Sequence, residues 1–134
     1  MPDIGLTHVA LSVRDLDASI AFYAKYARMD LIQRRVDEAA GVRVAWISDH
    51  TRPFIIVLVE TGRFEDTPLG PFGHLGVALP SREDVDQLST EAKAEGRLKS
   101  GPADAGPPVG YWAFLADPDG NTLEISFGQE VFGG

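Results

Sequence analysis

The sequence predicts an α+β fold in which one βαβββ module is used twice, and three recurrences along the chain carry that prediction. His8-Val9-Ala10-Leu11-Ser12-Val13 matches His74-Leu75-Gly76-Val77-Ala78-Leu79. Each run is followed by an arginine and an acid, Arg14-Asp15 in one case and Arg82-Glu83-Asp84 in the other, and then by a helix-like stretch. Further on, Trp46-Ile47-Ser48-Asp49 lines up with Phe114-Leu115-Ala116-Asp117, each entering a turn and a final strand. Three pairings in one order at nearly one interval indicate a duplicated unit.

Element by element, residues 4–13 alternate and favour a strand. Asp15 or Asp17 caps a helix to about Ala27 that buries Leu16, Ile20 and Tyr23. Residues 30–36 and 42–48 read as a hairpin around Glu38–Gly41, and 54–60 as a short apolar strand. In the second half a strand spans about 73–79. Ser81 caps a helix carrying Val85, Leu88 and Ala92, which ends near Gly96. Strands near 97–100, 110–116 and 122–127 complete it. Asp117-Pro118-Asp119-Gly120 has the residues of a tight turn. Ser100 to Gly110, rich in Pro and Gly, reads as a loop or lid.

The whole chain, 1–134, is expected to be one domain, with module 1 at about 1–66 and module 2 at about 70–134. A half of roughly 65 residues buries little by itself, so the two sheets are expected to pair.

Composition narrows the function. A net charge of −8 argues against nucleic acid, which needs a basic stripe. No cysteine is present, which removes disulfides, thiolate ligands and a thiol nucleophile. Met1 to Ala10 has no basic leader ahead of an apolar run, and Phe54 to Val59 is too short to span a bilayer. A cytoplasmic protein with no membrane partner is the expectation.

Strand alternation then sorts the faces. His8 lies with Leu6, Ala10 and Ser12; His74 with Gly76 and Ala78; Glu124 with Thr122 and Ser126. All three share faces with small or polar neighbours, opposite the bulky residues that suit packing under a helix. Two imidazoles and one carboxylate suit a divalent cation of the Fe, Mn, Ni, Co or Zn group and leave positions open for substrate. By the same parity Trp46, Ser48, Trp112 and Phe114 line the sparse face, and His50 falls in a surface turn.

The chain resembles the vicinal oxygen chelate superfamily of glyoxalase I, bleomycin-resistance proteins, extradiol dioxygenases and fosfomycin-resistance enzymes. The resemblance rests on Thr7-His8-Val9-Ala10-Leu11, on Gly73-His74-Leu75-Gly76-Val77, and above all on Asp117-Pro118-Asp119-Gly120-Asn121-Thr122-Leu123-Glu124. It implies paired modules around a U-shaped metal cleft, a homodimer, a small-molecule substrate, and metal ligands at His8, His74 and Glu124.

Departures from the resemblance bear on the chemistry. Glyoxalase I has a second carboxylate near the end of the fourth strand. Glu60 lies in that region as a possible catalytic base or ligand, yet aligning the repeats sets Ile56 opposite Glu124, and four strand residues span roughly 13 Å. Ser12 stands where glyoxalase I has an arginine associated with glutathione. Extradiol dioxygenases carry a Tyr where this chain has Phe114, and a His for which Ala105 to Pro107 offer no counterpart. The leading expectation is a metal-dependent lyase or isomerase of the glyoxalase type, in which the cation stabilises an enediolate or similar anion and Glu124 or Glu60 acts as base. The alternatives are an Fe(II) dioxygenase and a non-catalytic binder of the bleomycin-resistance kind.

Overall fold

In the computed structural model the described residues are 3–62, 69–70 and 72–132. The chain divides into two compact units, 1–68 and 69–134. The expected module 1 boundary near residue 66 lies outside the described residues.

The first unit runs β1 (His8–Ser12), α1 (Leu16–Tyr26), β2 (Asp30–Asp37), β3 (Val42–Ser48) and β4 (Ile55–Glu60). Asp15 starts α1 by accepting a hydrogen bond from the Ala18 amide at 3.1 Å, satisfying one of the free N–H groups at a helix start. The helix buries Leu16, Ser19, Phe22, Tyr23 and Tyr26, so its inner stripe is rotated away from Ile20, which is only half-buried. The sheet order is β1-β4-β3-β2, with β1 and β4 parallel. Leu11, Ala45, Ile47, Ile56 and Leu58 point from this sheet into the core beneath α1.

The second unit repeats the arrangement with β5 (His74–Ala78), α2 (Arg82–Ala94), β6 (Leu98–Asp104), β7 (Tyr111–Ala116) and β8 (Thr122–Phe127). Ser81 caps α2 through the Asp84 amide at 3.1 Å. The sheet order is β5-β8-β7-β6, and Val85, Leu88 and Ala92 of α2 close a core with Ala113, Leu115, Leu123 and Ile125. This is the predicted fold class, two four-stranded sheets each with one helix.

One expected loop is in part a strand. Residues 100–104 extend β6 as an edge strand, where a proline's missing N–H costs no ladder bond. Register shifts on either side of Ser100 absorb the irregularity. Gly101 has φ +87°, and a Cβ there would stand 2.8 Å from the Trp112 carbonyl oxygen. The signals that read as a lid are those of a kinked edge.

The Asp117–Asn121 turn is built by one buried carboxylate. Asp117 Oδ1 accepts from the Asp119 and Asn121 amides, both at 2.9 Å, and Asn121 Oδ1 accepts from the Leu69 amide at 3.1 Å. This clamp fixes where β8 begins, and therefore where Glu124 stands.

Candidate metal centre

In the second unit β5 and β8 run parallel, with Gly76 opposite Glu124 and His74 opposite Thr122. The Glu124 carboxylate lies over Gly76, where a Cβ would stand in ordinary contact at 4.0 Å from Oε2. His74 Nε2 and Glu124 Oε1 stand 3.6 Å apart; the imidazole is 28% exposed and the Glu124 side chain 11%.

The hydrogen bonds around the pair fix its chemistry. His74 Nδ1 is 3.0 Å from the Phe72 carbonyl oxygen, and a carbonyl only accepts, so Nδ1 carries the proton. In the neutral ring Nε2 then presents its lone pair to a carboxylate oxygen, at a separation too long for a hydrogen bond. An imidazole nitrogen and a carboxylate oxygen converging in this way are donors that one cation can share. Bonds of about 2.1 Å to each at right or tetrahedral angles separate the donors by roughly 3.0–3.4 Å, close to the spacing found. The donor set fits a divalent ion, and the Phe72 carbonyl fixes the orientation of the His74 ring.

Gln129 was not anticipated from sequence. Its Nε2 donates to Glu124 Oε2 at 3.1 Å, leaving Oε1 directed at His74. It lies just past β8, after Gly128 at φ +83°, where no periodicity marks it. Two aromatic rings extend from His74. The Phe114 ring is 5.3 Å from the His74 ring and 4.7 Å from that of Trp112.

In the first unit β1 and β4 pair in the same way, His8 opposite Ile55 and Ala10 opposite Val57. Trp46 lies opposite Val57 as Phe114 lies opposite Glu124. The counterpart of Glu124 is therefore Val57, one residue from the expected Ile56, which is buried in the core. A slip of one residue reverses the face.

That slip decides where Glu60 goes. It follows Ile56 and Leu58 on the helix face, away from His8. Its Oε2 accepts from the Leu16 amide at 2.7 Å and its Oε1 from Arg43 at 2.9 Å, so it secures the start of α1 rather than facing the sparse side.

His8 is exposed, with Nδ1 2.9 Å from the Thr7 hydroxyl. It borders a cavity of about 710 Å³ whose other walls include Trp46 and Val57; Ser12 is not among the lining residues. Among the described residues no three His, Asp or Glu side chains converge on one point.

A family model described as the Glyoxalase/Bleomycin resistance protein/Dioxygenase superfamily matches residues 5–125. The chain belongs to this superfamily. The vicinal oxygen chelate chain is 41% identical over 128 residues to an uncharacterized protein of Pseudomonas aeruginosa, with 94% of this chain and 90% of the relative covered. It is 27% identical over 135 residues to a probable lactoylglutathione lyase of Vibrio parahaemolyticus, covering 96% and 94%. Among solved structures, a trypanothione-dependent glyoxalase I of Leishmania major matches with a TM-score of 0.73 at 19% identity, over 94% of this chain and 88% of that one, a likeness of fold. No helix among the described residues is long and apolar enough to cross a membrane.

Proposed function

We propose that this chain is a metal-dependent lyase or isomerase of the glyoxalase type, acting on a small substrate that offers two vicinal oxygens. The observation that carries the proposal is His74 Nε2 facing Glu124 Oε1 at 3.6 Å while Nδ1 is turned to the Phe72 carbonyl. We assign His74 and Glu124 as two ligands of one divalent ion. By resemblance to the superfamily we assign His8 as the third. The ion would contribute Lewis-acid polarisation of the substrate oxygens.

The protein's own groups do the rest. The Phe72 carbonyl holds the His74 ring in its tautomer, and Gln129 holds one oxygen of Glu124. Phe114 presents an apolar ring beside His74, and Trp112 extends that surface. With Glu60 committed to α1, Glu124 is the carboxylate assigned to move a proton between substrate carbons. The similarity to a probable lactoylglutathione lyase supports the reaction class. Ser12, where glyoxalase I has its glutathione-associated arginine, argues for a different substrate.

Metal analysis of tag-free protein, with thermal shifts in Mn(II), Fe(II), Co(II), Ni(II) and Zn(II), tests the reading. Near-stoichiometric metal is expected in the parent protein. His74→Ala and Glu124→Gln should each weaken binding by at least about 100-fold, above the range for loss of an outer partner. Full metal content in both variants would overturn the assignment.

A further inference from the structure

The cavity in the first unit differs in character from the His74–Glu124 pair. Its walls are largely apolar, with Ile32, Trp46, Phe54, Ile55 and Val57 around His8, and its volume of about 710 Å³ lies within the range of small-ligand sites. Val57 leaves an apolar surface where the second unit has a carboxylate. Ser48 adds no free polar group, since its hydroxyl donates to the Phe54 carbonyl and accepts from the His50 amide. His50 is engaged with Asp30 at 3.2 Å.

Arg52 is the guanidinium of the lining, and its charge is also felt by the neighbouring Asp49. Its Nε makes one long bond, 3.4 Å, to the Thr51 hydroxyl, and among the described residues no carboxylate oxygen lies within 4.0 Å of its guanidinium. Among the described residues Asp3 is the single carboxylate in the wall. The Arg35 guanidinium lies over the Trp46 ring, 5.6 Å from its centroid, while Trp46 itself lines the cavity and brings an aromatic surface to it.

We propose that this cavity binds a flat apolar monoanion, an arene carboxylate of one or two rings, with the ring against Trp46 and the carboxylate on Arg52. A planar guanidinium matches a carboxylate fork, and the apolar walls favour the ring. Seen with the proposed function, on which this clause alone rests, the cavity selects the non-reacting end of the substrate and leaves its oxygens beside His8.

The test is a titration with naphthoate in a Trp112→Phe background, where Trp46 is the sole tryptophan reporting by fluorescence. Saturable quenching is expected, with the uncharged naphthamide at least about ten-fold weaker. Arg52→Gln should abolish that preference, and Trp46→Leu, checked for an unchanged melt, should abolish ring binding followed by calorimetry. His74→Ala should bind naphthoate as the parent does. Retained binding with lost metal supports both readings, and retained binding with retained metal removes only the metal reading. Equal affinity for acid and amide would overturn the proposal, as would an indifferent Arg52→Gln variant. So would quenching that vanishes as protein concentration rises, because a second copy then fills the cavity.

Discussion

Where β8 sets Glu124 beside His74, β4 sets Val57 beside His8 at the equivalent register, although the two sheets agree strand for strand. The surrounding parts differ in step. Phe72 and Gln129 tether the second pair, whereas in the first unit a Thr7 contact holds His8 and the space beyond it is an apolar cavity. Carboxylates follow the same division. The second unit's glutamate faces the open side of its sheet; the first unit's Glu60 faces its helix. A duplicated backbone fixes positions in space, and single substitutions at matched positions then give one copy charge and the other volume.

The turn before each last strand offers the sharpest test of this contrast. Asp117 is 3% exposed and holds two amides, while its counterpart Asp49 is half-buried and, among the described residues, bonds Thr51 through amide and hydroxyl. Asp117→Ala leaves buried amides without partners and should cost about 2–4 kcal/mol in denaturant unfolding. Asp49→Ala should cost about 0.5–1.5 kcal/mol. Equal losses would mean that the two turns bear equal load.

A smaller effect is expected at Glu60. Glu60→Gln keeps one acceptor for Leu16 but loses the charge opposite Arg43, so stability should fall by about 0.5–2 kcal/mol with metal content unchanged. Loss of metal with no loss of stability would return Glu60 to the metal site.

Smallest are two opposite responses to pH. The hydrogen bond from Arg34 holds the Asp17 carboxyl below its ordinary value of 3.8. That contribution is present above the ordinary value and disappears as pH falls through the lowered one. The hydrogen bond to Asp86 raises the Tyr111 hydroxyl above its ordinary value of 10.0. Its contribution is full below the ordinary value and is lost as pH rises through the raised one. Unfolding midpoints across pH should therefore flatten on the acid side in Asp17→Asn and on the alkaline side in Tyr111→Phe. A reversed pattern would break the assignment of one sensitivity to each unit.

Much of the fold was legible because the duplication doubled each weak signal, and the caps Asp15 and Ser81 carry their mechanism in their side chains. The meeting of His74 and Glu124 was legible through parity, since both share a face with small neighbours. Glu60 was not, because its face depends on β4's register, and a shift from Ile56 to Val57 inverts the strand. Gln129 lacks any periodic neighbour to announce it. Arg52 reads as an ordinary turn residue until the hairpin folds it over the cavity.

The kinked edge of β6 has a consequence for a chain that contains its own near-copy. During synthesis, strands of one repeat meet look-alike strands of the other, and an open border invites exchange or stacking of chains. Pro102 removes a donor from one such border, and Asp30, Arg34, Arg35 and Asp37 place charge along the exposed β2 border of the other. Each copy carries a different guard, so neither is an easy template for its twin.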